Sequence, residues 1–123
     1  MRTRAETGRA SEIRGRKAEW IALALLLCKG YRILGRRVKT RAGEIDLIAK
    51  SPSGIVCFIE VKARPDADLA AVAVGGRQRG RILRAAGLYL AGRPARMRFD
   101  VITVLPGRFP RHWKDAWRPD DLM

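Results

Sequence analysis

Two acidic residues and a lysine interrupt neighbouring apolar runs near the middle of the 123-residue chain. Asp46 lies in the run 43–49, and Glu60 and Lys62 lie in the run 55–62. A Ser-Pro-Ser-Gly segment between the runs predicts a turn, so together they predict a β-hairpin. Because side chains two residues apart on a strand share a face, we expect Glu60 and Lys62 to be neighbours. The turn then sets Asp46 opposite Glu60, to within about one residue of register.

If these acids converge with Glu19, they could support metal-assisted chemistry on phosphate esters. Three oxygen donors from Asp46, Glu60 and Glu19 would favour Mg²⁺ or Mn²⁺ over zinc, because hard cations prefer oxygen ligands. Such a metal polarises a phosphodiester and lowers the pKa of the attacking water. The Lys62 ammonium would offset charge in the transition state. The other interpretation is a half-exposed sheet on which Lys62 is the salt-bridge partner of the acids. Spacing alone leaves the two interpretations equally open.

Glu19 belongs to a predicted first helix, which runs from Ser11 to about Lys29 and ends at Gly30. Small and apolar residues follow one side of this helix at helical spacing, and Glu19 lies at the edge of that side. A glutamate there is either a surface residue just outside the core or a carboxylate directed at the sheet. Spacing alone favours the surface residue.

The charge of the chain points to a polyanionic partner. Twenty-six Lys and Arg residues against twelve Asp and Glu give a net charge of +14, with a sequence pI near 11.3. A folded domain with this charge suits phosphate polyanions, so we expect nucleic acid rather than a membrane surface or a purely compositional bias. The candidate phosphate-binding residues lie on the first strand, at its exit and on the second helix, and they are Arg36, Arg37, Lys39, Arg41, Arg77 and Arg81.

The predicted elements follow the order helix, three strands, helix, strand. They form one domain over residues 11–123, which follows a flexible basic arm at residues 1–10. The second helix is predicted over about 77–91 and the fourth strand over 98–105. This order predicts an α/β fold with a single mixed β-sheet flanked by helices.

The tail after the fourth strand contains two tryptophans four positions apart, Trp113 and Trp117. That spacing predicts a short helix with one aromatic side. Docking of this side onto the core is the favoured interpretation, and stacking of the rings on exposed nucleic-acid bases is the alternative.

Cys28 and Cys57 both lie inside apolar runs, far apart in the chain. We expect two small buried hydrophobes in a reducing compartment, not a disulfide or a zinc site. The longest apolar run, 21–28, is too short to span a bilayer. These features predict a soluble cytoplasmic protein with no membrane contact.

The hairpin and its neighbours resemble a known nuclease pattern. Asp46, followed 14 residues later by the Glu60-Val61-Lys62 step, resembles the PD-(D/E)xK nuclease signature. The wider context resembles the YraN family of small bacterial proteins, which is described as endonuclease-like and related in fold to archaeal Holliday junction resolvases. The segments that carry this resemblance, over roughly residues 12–118, are the first helix and residues 30–34, 43–49, 58–62 and 98–101. The resemblance implies a restriction-endonuclease-like sheet.

The resemblance also implies a role for each residue of the candidate site. Asp46 and Glu60 would be the metal-binding carboxylates, with the main-chain carbonyl of Val61 as a further metal ligand and Lys62 as the catalytic lysine. Glu19 would complete the metal site, which reverses the preference from spacing, and Gln78 would border it. Two departures are present. Ile45 stands where the named motif has proline, and the segment 73–77 lacks the Thr-Pro step of relatives, which leaves the start of the second helix and the placement of Gln78 open.

The function implied is a Mg²⁺- or Mn²⁺-dependent nuclease that hydrolyses DNA phosphodiester bonds, with branched or junction DNA as a candidate substrate. A junction has two-fold symmetry, which would favour a homodimer. The alternative is a non-catalytic module that holds DNA or structured RNA and whose binding is sensitive to salt and indifferent to metal. A third interpretation is a protein-binding member of a DNA-processing complex whose basic surface is secondary.

Overall fold

A computed structural model describes residues 4–63 and 76–119, with side chains from residue 15 onward. Two helices and five strands make up this part of the chain. In chain order they are α1 Arg4–Cys28, β1 Arg32–Thr40, β2 Gly43–Lys50, β3 Val56–Lys62, α2 Gly76–Leu90, β4 Met97–Thr103 and β5 Arg111–Trp117. The division into an arm at residues 1–10 and a domain from residue 11 stays a prediction; helix α1 begins at Arg4.

The strands form one mixed sheet in the order β1-β2-β3-β4-β5. The β3–β4 pair is parallel, and the other three pairs are antiparallel. A parallel pair needs a crossover between its strands, and the chain segment that contains α2 supplies it. The predicted α/β fold with a single mixed sheet and flanking helices is therefore confirmed.

Each face of the sheet carries its own apolar core. On one face, Phe58 and Phe99 pack with Ile82 of α2. On the other face, Leu47 and Ile59 pack with the side of α1 formed by alanines and leucines at a spacing of four residues, Ala18, Ala22 and Leu26. The alternation of β3 between these two cores explains why its apolar run is nearly continuous. It also fixes the strand that carries Glu60 and Lys62.

The tail forms a strand, so the predicted helix there is wrong. Strand β5 pairs with β4, and the Trp117 side chain is buried and stacks on Phe99 with ring centroids 4.2 Å apart. The indole N–H of Trp113 donates a hydrogen bond to Thr103 Oγ1 at 3.2 Å. The favoured docking of aromatic rings onto the core is thus confirmed for Trp117. A spacing of four residues puts side chains on one side of a strand as well as of a helix.

One cysteine differs from its prediction. Cys57 is buried, but Cys28 is exposed, and both thiols are free. Cys28 follows Leu26 by two positions, which is about half a turn around α1 from the buried side. Within the described ranges, no helix is both long and apolar enough to cross a membrane.

Candidate active site

The β2–β3 hairpin brings Asp46 and Glu60 together. Leu47 pairs with Ile59 in the antiparallel register, and one further step along both strands sets Asp46 opposite Glu60. The main-chain N–H of Val61 donates a hydrogen bond to Asp46 Oδ2 at 2.9 Å. The side chain of Asp46 therefore joins the two strands beyond the last paired residues and is held in one orientation.

A cavity of about 260 Å³ opens at this end of the hairpin, beneath the first turns of α2. Its lining residues are Glu44, Ile45, Asp46, Ile59, Glu60, Gln78, Arg81, Ile82 and Asp100. The Gln78 side-chain amide donates a hydrogen bond to Glu60 Oε1. Because α2 begins at Gly76, Gln78 lies in its first turn, which brings the residue to the hairpin acids despite the missing Thr-Pro step.

Glu19 reaches the site region from the other face of the sheet. It is only 8% exposed, so the surface interpretation favoured by spacing is wrong. Arg37 of β1 donates a hydrogen bond from Nε to Glu19 Oε2 at 2.8 Å. This ion pair ties α1 to the sheet beside Asp46.

Lys62 is also buried, with 8% of its surface exposed. It shares the face of Glu60 on β3, as strand alternation predicts. Its main-chain carbonyl accepts a hydrogen bond from the N–H of Val104 at 2.9 Å. Of the residues that the structure describes, those lining the cavity include Asp46, Glu60 and Gln78 but not Glu19 or Lys62.

The surroundings of Asp46 disfavour its ionised form. Burial raises the pKa of Asp46 to about 6, from an ordinary value of 3.8. The Val61 hydrogen bond opposes this rise, but the negative charges of Glu60, Glu19 and Glu44 add to it. A cation bound beside such a carboxyl group would stabilise its ionised form.

Sequence comparisons identify the family of this chain. Residues 18–104 match the model of a family described as "Uncharacterised protein family UPF0102". The chain is 50% identical over 117 residues to a UPF0102 protein of Maricaulis maris strain MCS10. The alignment covers 92% of the chain and 91% of that relative. The chain belongs to the UPF0102 family. This is the family predicted above as YraN.

Two other relatives show the same extent of similarity. A UPF0102 protein of Parvibaculum lavamentivorans is 46% identical over 117 residues, covering 92% of the chain and 87% of that protein. A UPF0102 protein of Methylorubrum extorquens strain PA1 is 43% identical over 129 residues, covering 99% of the chain and all of that protein. The similarity therefore spans the domain and not a single motif.

The basic residues predicted on β1 and at its exit lie in different environments in this UPF0102 chain. Arg37 is engaged by Glu19. The exposed guanidinium of Arg36 lies 4.3 Å from the centroid of the Trp20 ring. Lys39 and Arg41 are exposed and line a shallow groove with residues of α2. The groove and Arg36 are thus accessible to a ligand, while Arg37 is held in its ion pair with Glu19.

The two predicted arginines of α2 are both exposed near the candidate site. Arg77 lies in the first turn, and Arg81 lines the cavity. A β-carbon on Gly43 would lie 2.8 Å from the Arg81 side chain, and the backbone φ of Gly43 is +143°. Glycine at this position therefore allows Arg81 to cross the start of β2 and reach the cavity.

Sequence reasoning gave no role to two further acids. Glu44 lines the cavity and contributes to the raised pKa of Asp46; its position two residues before Asp46 was the available signal. Asp100 is 1% exposed and accepts hydrogen bonds from Arg98 and from His112 Nε2, at 2.8 Å each. The contact with His112 depends on the pairing of β5, which the predicted tail helix could not supply.

The donor set fits a hard cation in its chemistry. Asp46, Glu60 and the Val61 carbonyl are oxygen donors. The raised pKa of Asp46 reflects a free-energy cost of ionisation, which a bound cation would reduce. Across the described ranges, no three His, Cys, Asp or Glu side chains form a ready-made metal-binding group. The complete ligand set that includes Glu19 stays a prediction.

Proposed function

We propose that this UPF0102 chain is a divalent-cation-dependent nuclease that hydrolyses phosphodiester bonds in DNA. The observation that carries the proposal is the environment of Asp46, a partly buried carboxylate that the Val61 N–H holds in place. Burial, with a further contribution from the neighbouring acids, raises its pKa to about 6. Acids alone would repel a DNA backbone, whereas the +14 charge of the chain attracts one. A cation among the acids reconciles these two features.

Mg²⁺ or Mn²⁺ would be held by Asp46 and Glu60, with the Val61 carbonyl and Glu19 as further oxygen donors. When bound, such a cation would polarise the phosphodiester and make the attacking water more acidic. The protein contributes orientation: Val61 N–H holds Asp46, Gln78 holds Glu60, and Arg37 holds Glu19. Groups fixed before the substrate arrives lose little entropy in the reaction.

The cationic residues have separate roles in this proposal. Lys62, which follows Glu60 on the same face of β3, is the catalytic lysine that offsets negative charge developing on the phosphate. Arg77 and Arg81 contact DNA phosphates beside the cavity, and Lys39 at the end of β1 and Arg41 just after it extend the contact across the groove. Branched DNA with two-fold symmetry would suit a homodimer that carries two such sites.

The test is cleavage of labelled linear, flapped and four-way-junction DNA by the purified chain, with Mg²⁺, with Mn²⁺ and with EDTA. We expect metal-dependent cutting that falls by about 10²–10³-fold in Asp46→Asn and in Lys62→Ala. Asp46→Asn keeps an acceptor for the Val61 N–H, so it removes the charge with little change in shape. Asp115→Asn, at an exposed ion pair with Arg118, is the matched control. Cutting that survives both site changes would refute the site assignment.

A non-catalytic nucleic-acid-binding module is the second candidate. Its support is that Glu19 and Glu60 already have protein partners, Arg37 and Gln78, and that the described residues form no ready-made metal group. This candidate predicts DNA binding that weakens with salt but is unchanged by EDTA and by Lys62→Ala, with no cutting of any substrate.

A further inference from the structure

The loop between β4 and β5 lies at the same end of the sheet as the candidate site. Strands β3 and β4 are parallel, and Lys62 pairs with Thr103 at their last paired position. The next residue, Val104, donates its N–H to the Lys62 carbonyl at 2.9 Å. The loop that follows is therefore anchored directly on the end of the strand that carries Glu60 and Lys62.

This loop holds an aromatic ring in solvent. Phe109 is 93% exposed, whereas the next most exposed large hydrophobic side chains in the described ranges, Leu27 and Trp20, are 54% and 53% exposed. A ring held in water contributes nothing to the stability of the folded chain, because it is exposed in the unfolded chain as well. Burial of this apolar ring against a ligand would be favourable.

A largely apolar cavity adjoins the exposed ring. It has a volume of about 650 Å³ and lies between α1 and the loop, with Ala18 and Ile21 on one side and Val104 and Leu105 on the other. Phe109 forms part of its wall. The cavity is large enough for a flat aromatic ligand to enter and lie against Phe109.

Cations line the cavity that adjoins the ring. Lys17 and Arg108 line the cavity, and both side chains are exposed. Arg111, at the start of β5, lies over the Trp113 ring at 3.9 Å from its centroid. An aromatic ring among cations, on a chain of charge +14, is the combination with which proteins bind single-stranded nucleic acid. A purely apolar protein partner would not need these charges.

We propose that Phe109 stacks on an unpaired base of the DNA bound at the candidate site. The unpaired base would enter the cavity beside α1, and Lys17 and Arg108 would contact the flanking phosphates. The chain would then prefer DNA with unpaired bases, such as a flap, a gap or an open branch point, over continuous duplex. This inference rests on the proposed function for its substrate class, but its test measures binding and needs no cleavage.

The experiment compares binding of a flapped DNA and of a blunt duplex of equal length to the full chain in EDTA, by fluorescence anisotropy. We expect Phe109→Ala to weaken binding to the flapped DNA by roughly tenfold and to the duplex by less than about twofold, because a stacked base contributes on the order of one tenfold step in affinity. Phe109→Tyr should keep the preference. The control is Met97→Ala, since Met97 is exposed at the opposite end of β4 and should affect neither DNA.

The other outcomes overturn the inference. Equal losses on both DNAs, or no loss on either, would show that Phe109 does not read unpaired bases. An unchanged preference combined with a lower melting temperature or a changed oligomeric state would show that the ring packs against protein. Failure of the proposed nuclease is a different result, namely a Phe109-dependent preference without cutting by the wild-type chain in Mg²⁺.

Discussion

Asp46 and Asp100 are both withdrawn from solvent on the same sheet, yet their surroundings affect the ionised form in opposite directions. Burial opposes ionisation of Asp100, but hydrogen bonds from His112, Arg98 and the Asp115 N–H overcome it and lower the pKa of Asp100. Burial and three neighbouring acids raise the pKa of Asp46, and its hydrogen bond from the Val61 N–H does not overcome them. The fold thus stabilises the ionised form of Asp100 with cationic side chains, whereas a cation bound beside Asp46 would stabilise the ionised form of that residue.

The satisfied carboxylate belongs to a buried network. An ionised Asp100 can only accept hydrogen bonds, so His112 donates to it from Nε2. Because an ammonium can only donate, Nδ1 of His112 accepts from Lys29. The Lys29 ammonium lies 2.6 Å from that Nδ1, and Arg98 also donates to the hydroxyl of Tyr31. The network joins the end of α1 to β4 and β5, and its role is structural.

The largest effect should come from Asp100→Asn. Loss of this charge leaves the partly buried Arg98 guanidinium without its anion, and we expect a loss of about 3–5 kcal/mol in the free energy of unfolding at pH 7. Because the pKa of Asp100 is lowered by folding, its stabilising contribution is present above the unfolded pKa and is lost as pH falls through the folded pKa. Urea denaturation from pH 7 downward should therefore show the difference from wild type shrinking in acid.

The matched control for this measurement is Asp115→Asn. The Asp115 side chain is 38% exposed in its ion pair with Arg118, and exposed pairs contribute about 0–1 kcal/mol. Equal stability of Asp100→Asn and wild type at pH 7 would remove the structural role of the network and the contrast built on it.

Asp46→Asn should change the free energy of unfolding in the opposite direction. Folding raises the pKa of Asp46 from 3.8 to about 6. Its favourable contribution is therefore full below about pH 4 and is lost as pH rises through about 6. We expect the variant to be more stable than wild type by about 2–3 kcal/mol at pH 8 and equal to it near pH 4. Urea denaturation at both pH values tests this, and a variant that is less stable at pH 8 would contradict the assigned environment.

Added cation should give the smallest of the three effects. At ten times its dissociation constant, Mg²⁺ or Mn²⁺ should stabilise the wild-type chain by about 1.4 kcal/mol, seen as a higher melting temperature by calorimetry. Asp46→Asn should lose this response, and Asp100→Asn should keep it because Asp100 already has its cations. A response of equal size in wild type and Asp46→Asn would place cation binding elsewhere.

The placement of the hairpin acids could be predicted because strand geometry is local. Alternation places Glu60 and Lys62 on one face, and the turn sets Asp46 opposite Glu60, without any long-range contact. The resemblance supplied Glu19 and Gln78, which spacing could not, since contacts between a helix and a distant strand depend on packing. Spacing gave the wrong preference for Glu19, and the reason is its ion pair with Arg37 on β1.

The Asp100 network could not be predicted because it depends on an element of the wrong type. With the tail as a helix, His112 has no defined neighbour; as strand β5, it pairs with Ile102 and reaches Asp100. Periodicity is ambiguous at Trp113 and Trp117, because a spacing of four residues fits both the period of a helix and the period of a strand. The left-handed backbone at Asp115, with φ of +54°, adds an irregularity that alternation does not anticipate.

The outermost strands of the sheet in the described part of the chain, β1 and β5, also bear on how copies of this chain meet. An open sheet offers unpaired main-chain groups at each edge, and a second molecule can add a strand there. Exposed cations line both edges, with Arg32, Arg36 and Lys39 on β1 and Arg111 and Lys114 on β5. Joining two such edges would bring like charges together, which protects the protein against edge-to-edge aggregation. A two-fold pair of these chains would accordingly be expected to meet through helix or loop surfaces and not through a continuous ten-stranded sheet.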